Sequence, residues 1–242
     1  MRTTMLAFSA EHTPDGKANG IAWRNSDLMT RTTLTSHIRR SQLKGIEAKD
    51  HVFVEGDQKS HVYQVETGAV CLYTVLPDGR RHVIDFAFGG DIVNLDAGPV
   101  EVYNAQALIP TRVRCLPQTA LRRLAEREPE MAIRIYEAIA EELSSTRAHL
   151  VSVARHSATE RVVTFLLSMS RRNRIHDRDP QTIDLPMSRG DIADYLGLTI
   201  ETVSRTFSKL KSAGLIEIDQ CTSLRLVDIA ALKAIADGEA LA

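Results

Sequence analysis

A single row of apolar residues divides this chain and restricts how it can fold. Ala132, Tyr136, Ile139, Leu143, Thr146, Leu150 and Val153 follow one another at alternating intervals of four and three. That is the repeat of a heptad seam on one face of a helix. A seam three repeats long needs a covering surface, and the β-rich stretch before it should close its own core. A parallel coiled coil with a second copy is the simplest cover. Tyr136, Ile139, Leu143, Thr146, Leu150 and Val153 are therefore the expected dimer interface, on a helix spanning 129–156.

Upstream of the seam the texture is β-rich. His51–Val54, Val62–Val65, Val70–Leu76, His82–Phe88 and Arg112–Leu116 are enriched in Val, Ile, Tyr and Phe. Gly56, Gly68, Gly79, Gly90 and Gly98 separate these runs at intervals of 8–12 residues, a spacing that fits an all-β sandwich or barrel. Pro77-Asp78-Gly79 suits a hairpin, since glycine accepts the positive φ that such a turn requires. The β unit is expected over 31–128. Residues 1–30 are polar and aperiodic, with Pro14-Asp15-Gly16 and Asn19-Gly20 as turn signals, and read as poorly ordered.

Downstream, Ser157-Ala158-Thr159-Glu160 has the pattern of a capping box and opens a helix over about 158–170. Asp177–Asp184 contains Pro180 and reads as a loop. Ser188 to Phe207 then has the spacing of a helix-turn-helix. Ile192 and Leu196 supply an apolar face, and Ala193 is small where two helices must cross. Gly197 suits the left-handed end of the first helix. Thr199 can cap the second, while Val203 and Phe207, four apart, face inward. Ile200, Glu201, Ser204 and Arg205 are left outward, near the end that enters a major groove in this motif. Arg205 can grip guanine O6 and N7, and Glu201 can accept from cytosine N4. Their alternative role is an i,i+4 surface ion pair. Ser188, Arg189, Thr199, Thr202, Lys209 and Lys211 are candidates for phosphate contact, which positions without specifying sequence. Leu215–Asp219 and Ser223–Val227 read as the hairpin wing that completes a winged helix-turn-helix over 157–242. Cys221 falls at the wing tip and is a candidate redox thiol.

Composition narrows the classes. The net charge is −1, but Arg147–Lys211 holds 11 Lys/Arg against 7 Asp/Glu, a balance of +4 that leaves −5 on the remainder. Local contact with phosphates suits this distribution better than general adhesion to polyanions. No apolar run reaches the roughly 20 residues of a membrane span, and the N-terminus lacks a secretory pattern. A cytoplasmic protein without membrane association is expected. Cys71, Cys115 and Cys221 are odd in number and far apart, which argues against a disulfide framework or a local metal site.

These features together resemble the CRP/FNR family of bacterial regulators, closest to its FixK-type branch. The resemblance rests on Leu185-Pro-Met-Ser-Arg-Gly-Asp-Ile-Ala-Asp-Tyr-Leu-Gly-Leu-Thr-Ile-Glu-Thr-Val-Ser-Arg205. Tyr63-Gln-Val-Glu-Thr-Gly-Ala-Val70 and Leu76-Pro-Asp-Gly-Arg-Arg81 support it. It implies an α+β fold: an N-terminal β-roll of the jelly-roll, cyclic-nucleotide-binding kind, a long dimerisation helix and a C-terminal winged helix-turn-helix domain. It also implies a homodimer on double-stranded DNA that acts with RNA polymerase. By the same resemblance Arg205 contacts guanine, Glu201 the complementary cytosine and Ser204 an outer thymine of a TTGA-type half-site.

Two departures bear on the sensor domain. Cyclic-nucleotide sites of this family use an arginine, and Gly89–Glu101 contains none, so a cyclic phosphate is expected to meet carboxylates without a counter-charge. Iron–sulfur sensors of the family need an N-terminal cysteine group. Cys115 matches the central position, but no cysteine precedes Cys71, short of the four ligands required. No cofactor and no metal are expected. A haem, redox or small-molecule sensor of the same family is the main alternative. A cupin-type metalloenzyme would need clustered ligands, whereas His51, His61 and His82 are scattered, and no catalytic residues stand out.

Overall fold

Glycine turns and short β-branched runs build the first unit. The computed structural model describes residues 38–175, 178–220 and 222–239, so the expectation for 1–30 lies outside the described residues. Eight strands come first: β1 (Gln42–Ile46), β2 (His51–Phe53), β3 (His61–Thr67), β4 (Ala69–Val75), β5 (Arg81–Phe88), β6 (Ile92–Val93), β7 (Asn104–Ala107) and β8 (Thr111–Pro117). They form two four-stranded sheets, in the orders β1-β8-β3-β6 and β2-β7-β4-β5. The inner faces close on Val65, Val70, Ala87, Ala105 and Val113, all fully buried.

Two of these strands carry little β signal. β7 reads Asn-Ala-Gln-Ala, yet it lies between β2 and β4. Small residues suit that central place, because Ala105 and Ala107 sit in the middle of the core where larger side chains from other strands meet. β1 pairs with β8 over five residues at a sheet edge, held by ladder hydrogen bonds rather than by an apolar pattern.

The helical half begins with α1 (Gln118–Arg127), then α2 (Pro129–Arg155). Proline at the first turn of α2 lacks only a donor that would have no partner there. The second unit comprises α3 (Ala158–Ile175), β9 (Thr182–Asp184), α4 (Arg189–Leu196), α5 (Ile200–Ser212), β10 (Ile216–Gln220), β11 (Ser223–Leu226) and α6 (Ile229–Ala236). α3 starts as its capping pattern suggests: Ser157 Oγ accepts from the Glu160 N–H at 3.3 Å and donates to its carboxylate at 2.7 Å. It continues through Arg171–Arg174, where cations favour a helix C-terminus. β9 lies within the stretch read as a loop. It is recruited by β11, with Ile183 opposite Leu224, both buried.

One apolar cluster runs through both units. Val162, Val163, Phe165, Leu166, Ile192, Leu196, Val203, Phe207, Leu210 and Leu224 form its centre, and Cys71, Val83 and Phe86 extend it into the β-roll. Phe86 meets Phe165 edge-on at 6.4 Å between centroids and Tyr195 at 5.4 Å. Aromatic contacts of this kind add to the burial of the rings. Among the described residues no helix is long and apolar enough to cross a membrane.

Candidate nucleic-acid interface

The turn between α4 and α5 is set by three residues. Ser188 caps α4: its hydroxyl accepts from the Asp191 N–H at 3.1 Å, while the Asp191 carboxylate takes the Ser188 N–H at 2.9 Å. Two backbone donors at the helix start are thereby satisfied. Gly197 ends α4 with φ 64° and ψ 40°, a left-handed geometry in which a larger residue would be strained. Thr199 then caps α5, its hydroxyl accepting from the Thr202 N–H at 3.2 Å. Arg161 fixes the corner from outside by donating to the Leu196 carbonyl at 3.1 Å.

Period 3.6 sorts the faces of α5. Val203, Thr206, Phe207 and Leu210 point into the core. Ile200, Glu201, Ser204, Arg205, Ser208 and Lys209 are exposed. Glu201, Ser204 and Arg205 thus share one open face within the first two turns. The Glu201 carboxyl is held below its usual pKa by its own backbone N–H and the Thr199 hydroxyl, with Arg205 adding a favourable charge. An ionised acceptor and a guanidinium stand side by side.

The other sequence candidates occupy varied positions. Ser188 is exposed but its hydroxyl also donates to Asp191 at 2.7 Å, so it serves as a cap in this arrangement. Arg189 lays its guanidinium 3.4 Å over the Phe207 ring. Thr202 is half-buried, with its hydroxyl 3.1 Å from that of Thr199, and Lys209 is exposed in the last turn. On α2, Tyr136, Ile139, Leu143, Thr146 and Leu150 form an exposed row, Tyr136 at 71% and Leu150 at 68%. Val153 leaves that row: it is half-buried, and its Cγ1 lies 3.5 Å from where a side chain on Gly197 would begin. Cys221 lies outside the described residues. His51 bonds Tyr73, His61 bonds Ser60 and His82 stands 3.4 Å from Asp194, so each scattered histidine has a local partner.

Sequence reasoning missed several charged groups. Lys59, with its side chain fully buried, pairs with Asp96 at 2.5 Å and Glu101 at 3.6 Å. A cation therefore does reach the Gly89–Glu101 stretch, from an element outside it, and two carboxylates already hold it. Arg172 of α3 meets buried Asp91 at 2.7 Å and covers the Phe88 ring. Arg81 of β5 meets Asp191 at 3.0 Å. No local spacing announces these pairs, because their members are up to 110 residues apart.

The antiparallel sheet β10-β11-β9 packed beside α3 and α5 is the wing, and a fold of this kind on a β-roll defines a winged helix-turn-helix DNA-binding regulator. The chain matches the Crp-like helix-turn-helix domain over residues 160–235 and the cyclic nucleotide-binding domain over 43–128. It is 41% identical to the nitrogen fixation regulation protein FixK of Bradyrhizobium diazoefficiens over 185 residues, 76% of this chain and 78% of the relative. It is 38% identical to the transcriptional activatory protein AadR of Rhodopseudomonas palustris over 70% of this chain and 71% of that protein. The solved structure of FixK2 from Bradyrhizobium japonicum superposes with a TM-score of 0.77 at 35% identity, covering 83% of this chain and 99% of that one. The chain belongs to the CRP/FNR family of transcriptional regulators, in its FixK-type branch.

Proposed function

We propose that this regulator is an activator that binds, as a homodimer in the cytoplasm, to an inverted repeat of TTGA-type half-sites and recruits RNA polymerase there. The observation that carries the reading is the shared open face of Glu201, Ser204 and Arg205, backed by a buried face on the same helix. Arg205 donates its fork to guanine, Glu201 accepts from the paired cytosine, and Ser204 meets the outer thymine. Ser188, Arg189, Thr199, Thr202 and Lys209 lie beside that face and supply phosphate contacts. The exposed apolar row of α2 is the surface that a second copy covers, and it sets two reading helices about 34 Å apart. The names of two relatives, the nitrogen fixation regulation protein FixK and the transcriptional activatory protein AadR, support activation and a place in nitrogen-fixation control, and oxygen limitation or respiration is the wider context of the proposal.

Selection of bound fragments from random DNA tests the reading in one step. An inverted repeat with TTGA-like arms is the expected product. Enrichment of direct repeats, or of no motif at all, would sink it.

A further inference from the structure

The β-roll grips the reading module through α4, at residues other than Glu201, Ser204 and Arg205. Arg81, at the start of β5, is held from three directions. Its guanidinium donates to Cys71 Sγ at 2.9 Å, stacks 4.3 Å over the Tyr73 ring, and donates to Asp191 of α4 at 3.0 Å. Tyr73 is itself tied by its hydroxyl to His51 at 2.9 Å. One turn along α4, the Asp194 carboxylate accepts from the Val83 N–H at 3.1 Å and faces His82. Beneath these bonds Val83 and Phe86 pack on Phe165 and Tyr195. Asp191 joins two jobs in one group: one oxygen closes the α4 cap and the other meets Arg81. None of these contacts touches Glu201, Ser204 or Arg205.

From this geometry we infer that β5 is a positioning site for DNA reading, with Arg81 as its positioning residue. It fixes the angle at which α5 is presented, so the allowed distance between two half-sites is set by the β-roll rather than by the helix-turn-helix. The inference rests on the dimeric reading above. A loosely tethered module could turn to meet half-sites at several spacings. A clamped pair accepts one, because each added base pair moves a half-site by about 3.4 Å and rotates it by about 35°. An arginine already aligned by Cys71 and Tyr73 loses little freedom on meeting Asp191, and its planar fork is what those three partners share. Arg81 contacts none of Glu201, Ser204 and Arg205 and is held by Cys71, Tyr73 and Asp191, so its loss should leave the reading of each arm intact.

Full-length protein, assayed by fluorescence anisotropy, decides this on duplexes carrying the selected inverted repeat with its spacer lengthened or shortened by one and two base pairs, and on a single half-site. Wild type should favour one spacer by about tenfold or more. Arg81→Leu should flatten that preference to within about threefold, with half-site affinity and salt dependence unchanged. Arg81→Lys keeps the charge without the fork and should fall between them. Asp194→Ala removes the second clasp and repeats the test from α4, with thermal melts showing that each variant is folded. A wild-type spacer preference retained in both Arg81→Leu and Asp194→Ala overturns the inference. Wild type that ignores spacing overturns the dimeric reading and the inference with it.

Discussion

Arg205 stands free of the core on a helix whose other side is fully buried, so its removal subtracts one interaction without disturbing the fold. Arg205→Ala is expected to cost about 1–3 kcal/mol at the cognate site and to relax discrimination at one base pair. Competition against single-base variants of the site measures this, and equal weakening on cognate and scrambled DNA would contradict base reading. The core thiols behave oppositely. Burial pushes Cys71 up to about 12, only partly offset by Arg81, and burial raises Cys115 as well. A thiol so shifted has almost no thiolate at neutral pH. Mass spectrometry after alkylation at pH 8 should find Cys71 and Cys115 unmodified in the folded protein and modified once it is unfolded. Modification of either in the folded protein would show that its burial is transient.

Two predictions belong to the long helix α2. Its exposed row places Leu143 at 48% exposure near the middle, and Leu143→Asp sets two carboxylates against each other in a parallel pair. Light scattering should then report a monomer that fails on the full inverted repeat; a persistent dimer would move the interface elsewhere. Further along, the His149 ring stacks on Tyr195 at 4.2 Å between centroids. Burial lowers its pKa below 6.5, and the neighbouring positive groups His82 and Arg161 act in the same direction, against a hydrogen bond that the ring donates to the Tyr195 backbone. Well above pH 6.5 the ring is neutral in folded and unfolded chains alike, and its titration adds no pH dependence. As pH falls through 6.5 the unfolded chain takes up a proton that the native chain resists, so stability falls with pH. His149→Phe should make the melting temperature fall less steeply below that pH than in the wild type. An unchanged slope would place the acid sensitivity at other groups.

Across the whole molecule, the β-roll and the reading module share one apolar cluster. Most domain pairs in a chain meet through smaller, more polar surfaces and move independently. Here calorimetry should show a single transition. Phe86, 2% exposed between Phe165 and Tyr195, is the keystone of that contact. Phe86→Ala is expected to cost about 3–5 kcal/mol and to split the transition in two. A single transition at unchanged temperature would show that the clasps at Arg81 and Arg172 suffice without the aromatic contact.

Much of this was written locally. Glycine spacing set the β-roll, the heptad row set α2, and Ser188, Gly197 and Thr199 set the corner of the helix-turn-helix, because turns and caps depend on neighbours a few residues away. The side on which Glu201 and Arg205 lie followed from helical period and the inward Val203 and Phe207. What escaped was whatever depends on partners distant in sequence. β1 and β7 are strands because β8 and β4 complete their ladders. β9 is one because β11 pairs with it. Lys59, Arg172 and Arg81 look like ordinary surface cations until Glu101, Asp91 and Asp191 are folded against them. The sequence by itself determined which helix is the second of the helix-turn-helix and that Glu201, Ser204 and Arg205 lie on its outward face. Only the tertiary structure decided how that helix is held, because a charge pair between β5 and α4 spans 110 residues of chain and exists only when both units are in place.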